Sequence, residues 1–215
     1  TGLTLVPGDN LVDRIWDDQP AAPNAPFTAY PDKLSGEAHA TKRARLTDDI
    51  TSGCTVLTLP DSIAWLLNIR GTDIERNPVP QAFALLHHDG TVDLFAGVGK
   101  ADGIVDHLGP DVQVHDVDTL LSALADAPAP VRIDPKSCPQ IIATTLGETA
   151  VHTGDPCILP KACKNPTEIA GARAAHLRDG AAMVRFLAWL DAKGENGLTE
   201  IDVVKQLEQF RRDTN

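Results

Sequence analysis

Two apolar runs, residues 83–88 and 91–95, stand on either side of Asp89-Gly90. Short apolar runs around such a dipeptide predict a β-hairpin, with a type I′ turn that needs positive φ at both central residues. Upstream, Cys54-Thr55-Val56-Leu57-Thr58-Leu59 predicts a strand. Ser35 is placed to cap a helix running to about Thr51. Asp61 is placed to cap a shorter helix through Ile63, Leu66 and Leu67, stopped by Gly71. Downstream the pattern alternates: helix 102–108, strand 112–115, helix 117–126, strand 131–133, helix 138–146, strand 150–152. Strands interleaved with helices, and a hairpin among them, predict an α/β fold: a mixed sheet flanked by helices over residues 34–160.

The two ends differ from this middle. Residues 1–33 hold a short candidate strand, Leu3-Thr4-Leu5-Val6, and then Pro20, Pro23, Pro26 and Pro31, a spacing that excludes a helix or a central strand. They read as an ordered linker laid over a surface. Residues 161–215 predict two long helices. Asn165-Pro166-Thr167-Glu168 opens the first, with Asn as cap, Pro at the first position and Glu at the third. Ile169, Ala172, His176, Gly180, Met183, Leu187 and Leu190 make one face of it. Thr199 caps the second, whose expected buried side is Ile201, Val204, Leu207 and Phe210. Two amphipathic helices with no following strand need a partner. Either they dock on the α/β unit or their partner lies outside the 215 residues, and we expect the second.

Composition narrows the function classes. Nineteen Lys and Arg against 30 Asp and Glu give a net charge of −11. Such a surface repels nucleic-acid backbones and anionic membranes. The densest basic clusters, Lys42-Arg43-Ala44-Arg45 and Arg211-Arg212, sit beside acidic residues, so neither nucleic acid nor membrane is an expected partner. No apolar run reaches the roughly 18 residues of a membrane helix. Cys54, Cys138, Cys157 and Cys163 form no C-x-x-C pair, which argues against a thiolate zinc site and suggests a reducing, cytoplasmic setting. The chain opens at Thr1 and its one Met is Met183, as expected of a chain that is trimmed, tagged and cleaved, or cut from a longer protein.

Chemistry-bearing motifs are sparse. His87-His88-Asp89 and His115-Asp116 carry metal-ligand types, but they fall at strand ends and lack a metal-site spacing. Gly97-Val98-Gly99-Lys100 fails the phosphate-loop pattern, since Ala101 stands where Ser or Thr is required. It reads as a turn. No G-x-S-x-G elbow occurs. The unusual segment is 61–79, where an apolar helix feeds a polar loop holding Arg70, Asp73, Glu75, Arg76 and Asn77. Polar residues on a loop fixed by a rigid helix suit ligand recognition; a salt-bridged surface loop is the plainer alternative.

That segment, Ile63-Ala64-Trp65-Leu66-Leu67-Asn68-Ile69-Arg70-Gly71-Thr72-Asp73-Ile74 with Asn77-Pro78-Val79, resembles a stretch of the Xaa-Pro aminopeptidases, or aminopeptidases P. Asn10-Leu11-Val12-Asp13-Arg14-Ile15-Trp16 resembles that family's motif ahead of a Pro-rich linker. Lys164-Asn165-Pro166-Thr167-Glu168-Ile169, with Arg173, Ala175 and His176, resembles the opening of its catalytic domain. Gly197-Leu198-Thr199-Glu200 and Glu208-Gln209-Phe210-Arg211-Arg212 resemble the stretch just beyond. The four motifs stand in family order and span nearly the whole chain.

The resemblance implies two creatinase-like α/β domains followed by a pita-bread catalytic domain. Residues 1–33 would then be the end of the first domain and the linker, 34–160 the second domain with about six strands, and 161–215 the first two helices of the truncated catalytic domain. It also implies removal of an N-terminal residue preceding proline, with two divalent metals, usually manganese, to polarise the scissile carbonyl and supply hydroxide. The family's ligands, two Asp, one His and two Glu, lie beyond the second helix, so none maps onto this chain. The expectation divides accordingly. The parent is a metallopeptidase acting on proline-containing peptides, and this chain alone is inert, helping to shape the substrate entrance and to form a homodimer. Arg70, Asp73 and Asn77 are the expected rim residues. The alternative is a catalytically dead binding module of the same fold, of the kind found among histone-chaperone relatives. Metal ligands in the remainder of the parent would separate the two.

Overall fold

The computed structural model describes residues 2, 4, 6, 8–193 and 197–214. Strands β2 (Cys54–Leu57), β4 (Phe83–His87), β5 (Val92–Ala96), β6 (Val112–Asp116), β7 (Val131–Ile133) and β8 (Ala150–His152) form one sheet in the order β6-β5-β4-β2-β7-β8. Only β4 runs against its neighbours; every other pair in the sheet is parallel. A two-stranded ribbon, β1 (Thr28–Ala29) with β3 (Ile69–Arg70), lies apart from it.

Side chains alternate along these strands, so the sheet builds a core on each face. On one face Leu57, Ala84, Leu86, Val92, Leu94 and Ala96 pack under α3 (Pro60–Leu67), α4 (Val105–Leu108) and Phe27. On the other, Cys54, Val56, Leu85, Phe95, Val131 and Ile133 pack under α5 (Leu120–Ala125) and α6 (Gln140–Leu146). Helices on both faces explain why β2 is buried throughout and reads as a continuous apolar run.

Several expectations need correction. Ser35 does not cap a helix: it ends a single turn, α1 (Asp32–Ser35), and the longer helix α2 starts at His39 and stops at Thr47. Gly36, at φ +74°, breaks the two apart. Helix α3 begins with Pro60 at its first turn and no side-chain cap from Asp61, and it ends on Asn68, at φ +51°, ahead of Gly71. The 89–90 turn is not type I′. Gly90 has φ +84° while Asp89 is not among the residues with positive φ, and Gly90 N donates to His87 O (3.0 Å) while His87 N donates to Thr91 O (2.9 Å). One left-handed glycine after an ordinary turn closes the hairpin with a bulge, the three-residue solution. Of the strand expected at 3–6, Leu3 and Leu5 lie outside the described residues.

The chain then passes through α7 (Ile158–Ala162) to α8 (Pro166–Lys193) and α9 (Glu200–Thr214). Asn165 Oδ1 accepts from Glu168 N (2.9 Å) and Glu168 Oε2 accepts from Asn165 N (2.8 Å), the reciprocal capping box its sequence predicts. The buried stripes differ from expectation. Phe186 and Ala182 are buried and Arg185 stacks on Phe210 at 4.8 Å, whereas Leu187, Ile201 and Val204 are 52%, 64% and 46% exposed. The stripe Asp179-Ala182-Phe186 turns toward α9, one residue or about 100° from the predicted face. Small Ala182 lets α9 approach, and Asp179 holds Arg211 at 2.7 Å.

Candidate functional site

The polar segment between β3 and β4 is held at its base by two buried cations. Asn68 adopts the left-handed region that asparagine tolerates through local hydrogen bonding. Its Nδ2 donates to Asp32 Oδ1 (3.0 Å), Ser35 Oγ (3.1 Å) and Glu37 O (2.8 Å), and its Oδ1 accepts from Lys42 Nζ (2.7 Å). Lys42 is 1% exposed; it also donates to Trp65 O (2.8 Å) near the end of α3 and lies over the Trp65 ring. Burial lowers its pKa from the ordinary lysine value. The ammonium thus serves a helix C-terminus, where the dipole favours a positive charge.

Arg70 leaves β3 with its guanidinium 3.9 Å from the centre of the Tyr30 ring, and Nη1 donates to Ile69 O (2.9 Å) and Ala64 O (3.3 Å). Asp73 turns inward. Its side chain is 0% exposed, and it accepts from Lys100 Nζ (2.5 Å), Ala25 N (2.9 Å) and Gln81 N (3.4 Å). Burial alone would raise the Asp73 pKa; the bonds from Lys100, Ala25 and Gln81 outweigh it and hold the carboxyl below its ordinary range. One carboxylate therefore fastens the loop to the Pro-rich lead-in, to the start of the β4 segment and to the 97–100 turn.

Asn77 lies exposed at the tip. Its backbone N donates to Ile74 O (3.1 Å), closing a turn in which Arg76 has φ +64°. A non-glycine residue held in that region costs about 1 kcal/mol or more. Arg76 meets Glu75 (3.5 Å) and pairs with Glu208 of α9. Gly71, Thr72, Glu75, Asn77 and Pro78 border a hollow of about 440 Å³. The structure thus sets Arg70, Asp73 and Asn77 on one loop with separate partners, two fixing it and one displayed.

The other candidate chemistry resolves into structure. His87 and His115 each place Nε2 2.8 Å from a different oxygen of Asp93, across three adjacent strands. Burial pushes the Asp93 carboxyl up, and the two imidazole bonds outweigh it and bring it below its ordinary value. Both Nε2 atoms are committed to one carboxylate, and no group of three or more His, Cys, Asp or Glu among the described residues converges as a metal-binding set. Burial raises the Cys54 thiol to about 11 and the Cys157 thiol well above its ordinary value, which leaves both unreactive.

Sequence reasoning missed Lys42, Asn68 and Lys100 as anchors and Arg76 as the strained residue. Lys42 stood in a basic cluster that reads as surface. Lys100 followed Gly97-Val98-Gly99, whose turn does bring its amine inward, toward Asp73. No local pattern announces a left-handed arginine.

Residues 18–168 match the family described as the Creatinase/Prolidase N-terminal domain. A probable Xaa-Pro aminopeptidase P of Aspergillus clavatus is 35% identical over 223 aligned residues, covering 94% of this chain and 34% of its own length. Aminopeptidase P1 of Arabidopsis thaliana is 33% identical, covering 85% and 33%. The crystal structure of X-prolyl aminopeptidase from Caenorhabditis elegans, described as a cytosolic enzyme with a di-nuclear active site, superposes with a TM-score of 0.85 at 27% identity, covering 96% of this chain and 36% of that one. The chain spans about a third of the length of the curated relatives it matches.

Proposed function

Because the chain belongs to the creatinase/prolidase N-terminal domain family, we propose that it is the non-catalytic portion of an Xaa-Pro aminopeptidase. The parent hydrolase would release the N-terminal residue that precedes proline from peptides. The observation that carries this reading is the similarity to Xaa-Pro aminopeptidases along nearly the whole chain. In this reading residues 1–33 end a first domain and link it onward, 34–160 form the creatinase-like α/β domain, and 161–215 begin the pita-bread domain. The open faces of α8 and α9, with Leu187 and Ile201 exposed, then await the remainder of that domain. The divalent metal pair, manganese in our reading, belongs to that remainder.

The 71–80 loop is assigned to the rim of the substrate entrance. Its bond from Arg76 to Glu208 sets it against the helical part, and Asn77 stands exposed beside the hollow at its tip. Arg70 and Asp73 act on the rim by fixing it. Homodimer formation and a cytoplasmic setting complete the proposal; four free thiols agree with the latter.

The test compares this chain with the longer gene product on a peptide with proline second, with manganese present. The longer product should hydrolyse it and this chain should not. Asn77→Ala in the longer product should raise KM at least about threefold with kcat kept, the signature of lost binding common to ground and transition states. An intact longer product without hydrolysis would make the fold a binding module, and unchanged KM and kcat would remove Asn77 from the entrance.

A further inference from the structure

One end of the main sheet carries a cleft of about 590 Å³, which the 71–80 loop borders through Ile74. Strands β2, β5 and β6 run toward this end and β4 starts from it. The cleft therefore crosses the ends of four neighbouring strands, from Thr58 past Phe83 and Gly97 to Asp116. At about 4.8 Å per strand this is roughly 14 Å, the length of about four extended residues. The chain leaving β5 enters the turn Asp102–Ile104 and α4 on one face of the sheet; the chain leaving its parallel neighbour β6 enters the turn Val117–Thr119, which leads to α5 on the other. Connections that part to opposite faces leave a crevice at the carboxyl ends of the strands, where open α/β sheets bind ligands.

The walls set the ligand's chemistry. Phe83, Val98 and Val117 make them largely apolar, and the charged residues among them are Lys100, Asp116 and Asp118. The Lys100 amine is occupied by Asp73 at 2.5 Å. Asp116 Oδ1 accepts from Asp118 N at 3.1 Å, which leaves both carboxylates as the site's net charge. We propose that this cleft binds a short apolar peptide carrying one ammonium group, the apolar part against Phe83 and Val98 and the ammonium against Asp116 and Asp118. The four-strand span favours a peptide over a single amino acid or small amine. The ammonium comes from a free amino terminus or from a lysine side chain. The proposal does not depend on the peptidase reading.

The experiment is an amide NMR titration of the full chain with three probes: acetyl-Leu-Val-Lys-amide, Leu-Val-Gln-amide with a free amino terminus, and acetyl-Leu-Val-Glu-amide. Saturable shifts at Val98, Val117 and Asp118 are expected with one or both cationic probes, and which one binds identifies the source of the ammonium. The Glu peptide should bind at least about tenfold more weakly. Asp118→Asn, an exposed residue, should weaken the cationic probes several-fold, and Asp116→Asn with Asp118→Asn should bring them to the level of the Glu peptide. The amide oxygen that Asp116→Asn introduces can still accept from the backbone N of residue 118, and an unchanged thermal midpoint checks the fold. Equal binding of all three probes, shifts centred elsewhere, indifference to Asp118→Asn, or no shift at about 10 mM peptide would each overturn the site.

Discussion

Asp73 and Lys100 meet with side chains 0% and 2% exposed, and the loop depends on them. Removing one partner of a buried pair leaves the other charge without compensation, at roughly 3–5 kcal/mol. Asp73→Asn should therefore lower the urea midpoint without changing the slope, and adding Lys100→Met should recover much of the loss. The pH dependence follows from the depressed carboxyl. A group whose folded pKa lies below its unfolded value, about 3.9 for Asp, stabilises fully above that value. That stability is lost as pH falls through the folded pKa, so the variant should lose less stability than the parent chain on acidification below about pH 4. An equal loss would separate the pair from acid unfolding. The sequence made Asp73 visible as a polar residue between Gly71 and Pro78 but could not show its direction. A carboxylate that bonds three distant groups looks, along the chain, like one on a surface. Lys42 misled in the same way, since its burial is set by Trp65 and Asn68, which lie 23 and 26 residues away.

Elements were legible where local chemistry decides them and displaced where packing does. The capping box at Asn165 and the six strands follow from residues a few positions apart, and the structure forms them. The stripe that α8 turns to α9 is set by a neighbouring helix, and periodicity alone chose a face about 100° away. The start of α8 shows what joins it to the α/β unit. Asn165 Nδ2 donates to Ser35 O at 2.7 Å, and a Cβ on Gly36 would lie 2.6 Å from Asn165 Oδ1 and 2.7 Å from Thr167 Cβ. With φ at +74° as well, Gly36→Ala carries both a backbone and a steric penalty, more than about 1 kcal/mol together. Hydrogen exchange should speed up at residues 168–170 while β2 and β4 keep their protection. Uniform loss across the sheet would mean that α8 and the α/β unit unfold as one.

At the scale of the molecule, polar contacts link the α/β unit to the helical pair. Besides Asn165 and Ser35, the structure pairs Arg76 of the candidate rim with Glu208 of α9. Side chains at this pair are 64% and 34% exposed, so its strength should fall with salt and stay below about 1 kcal/mol. Charge exchange tests whether the rim feels the helices. Arg76→Glu and Glu208→Arg should each speed amide exchange at Asn77, whose N donates to Ile74 O, through repulsion across the junction. The double exchange should restore protection, with a coupling of a few tenths to about 1 kcal/mol at low salt that fades near 1 M. Arg76→Gly is the control, because it removes the charge and relieves the φ of +64°. If the double exchange behaves as the sum of the two single ones, the loop is held by the Asp73 contacts and not by α9. Restoration would instead make the rim's position depend on α9, so that a movement of the helical part would reach the loop through a single ion pair.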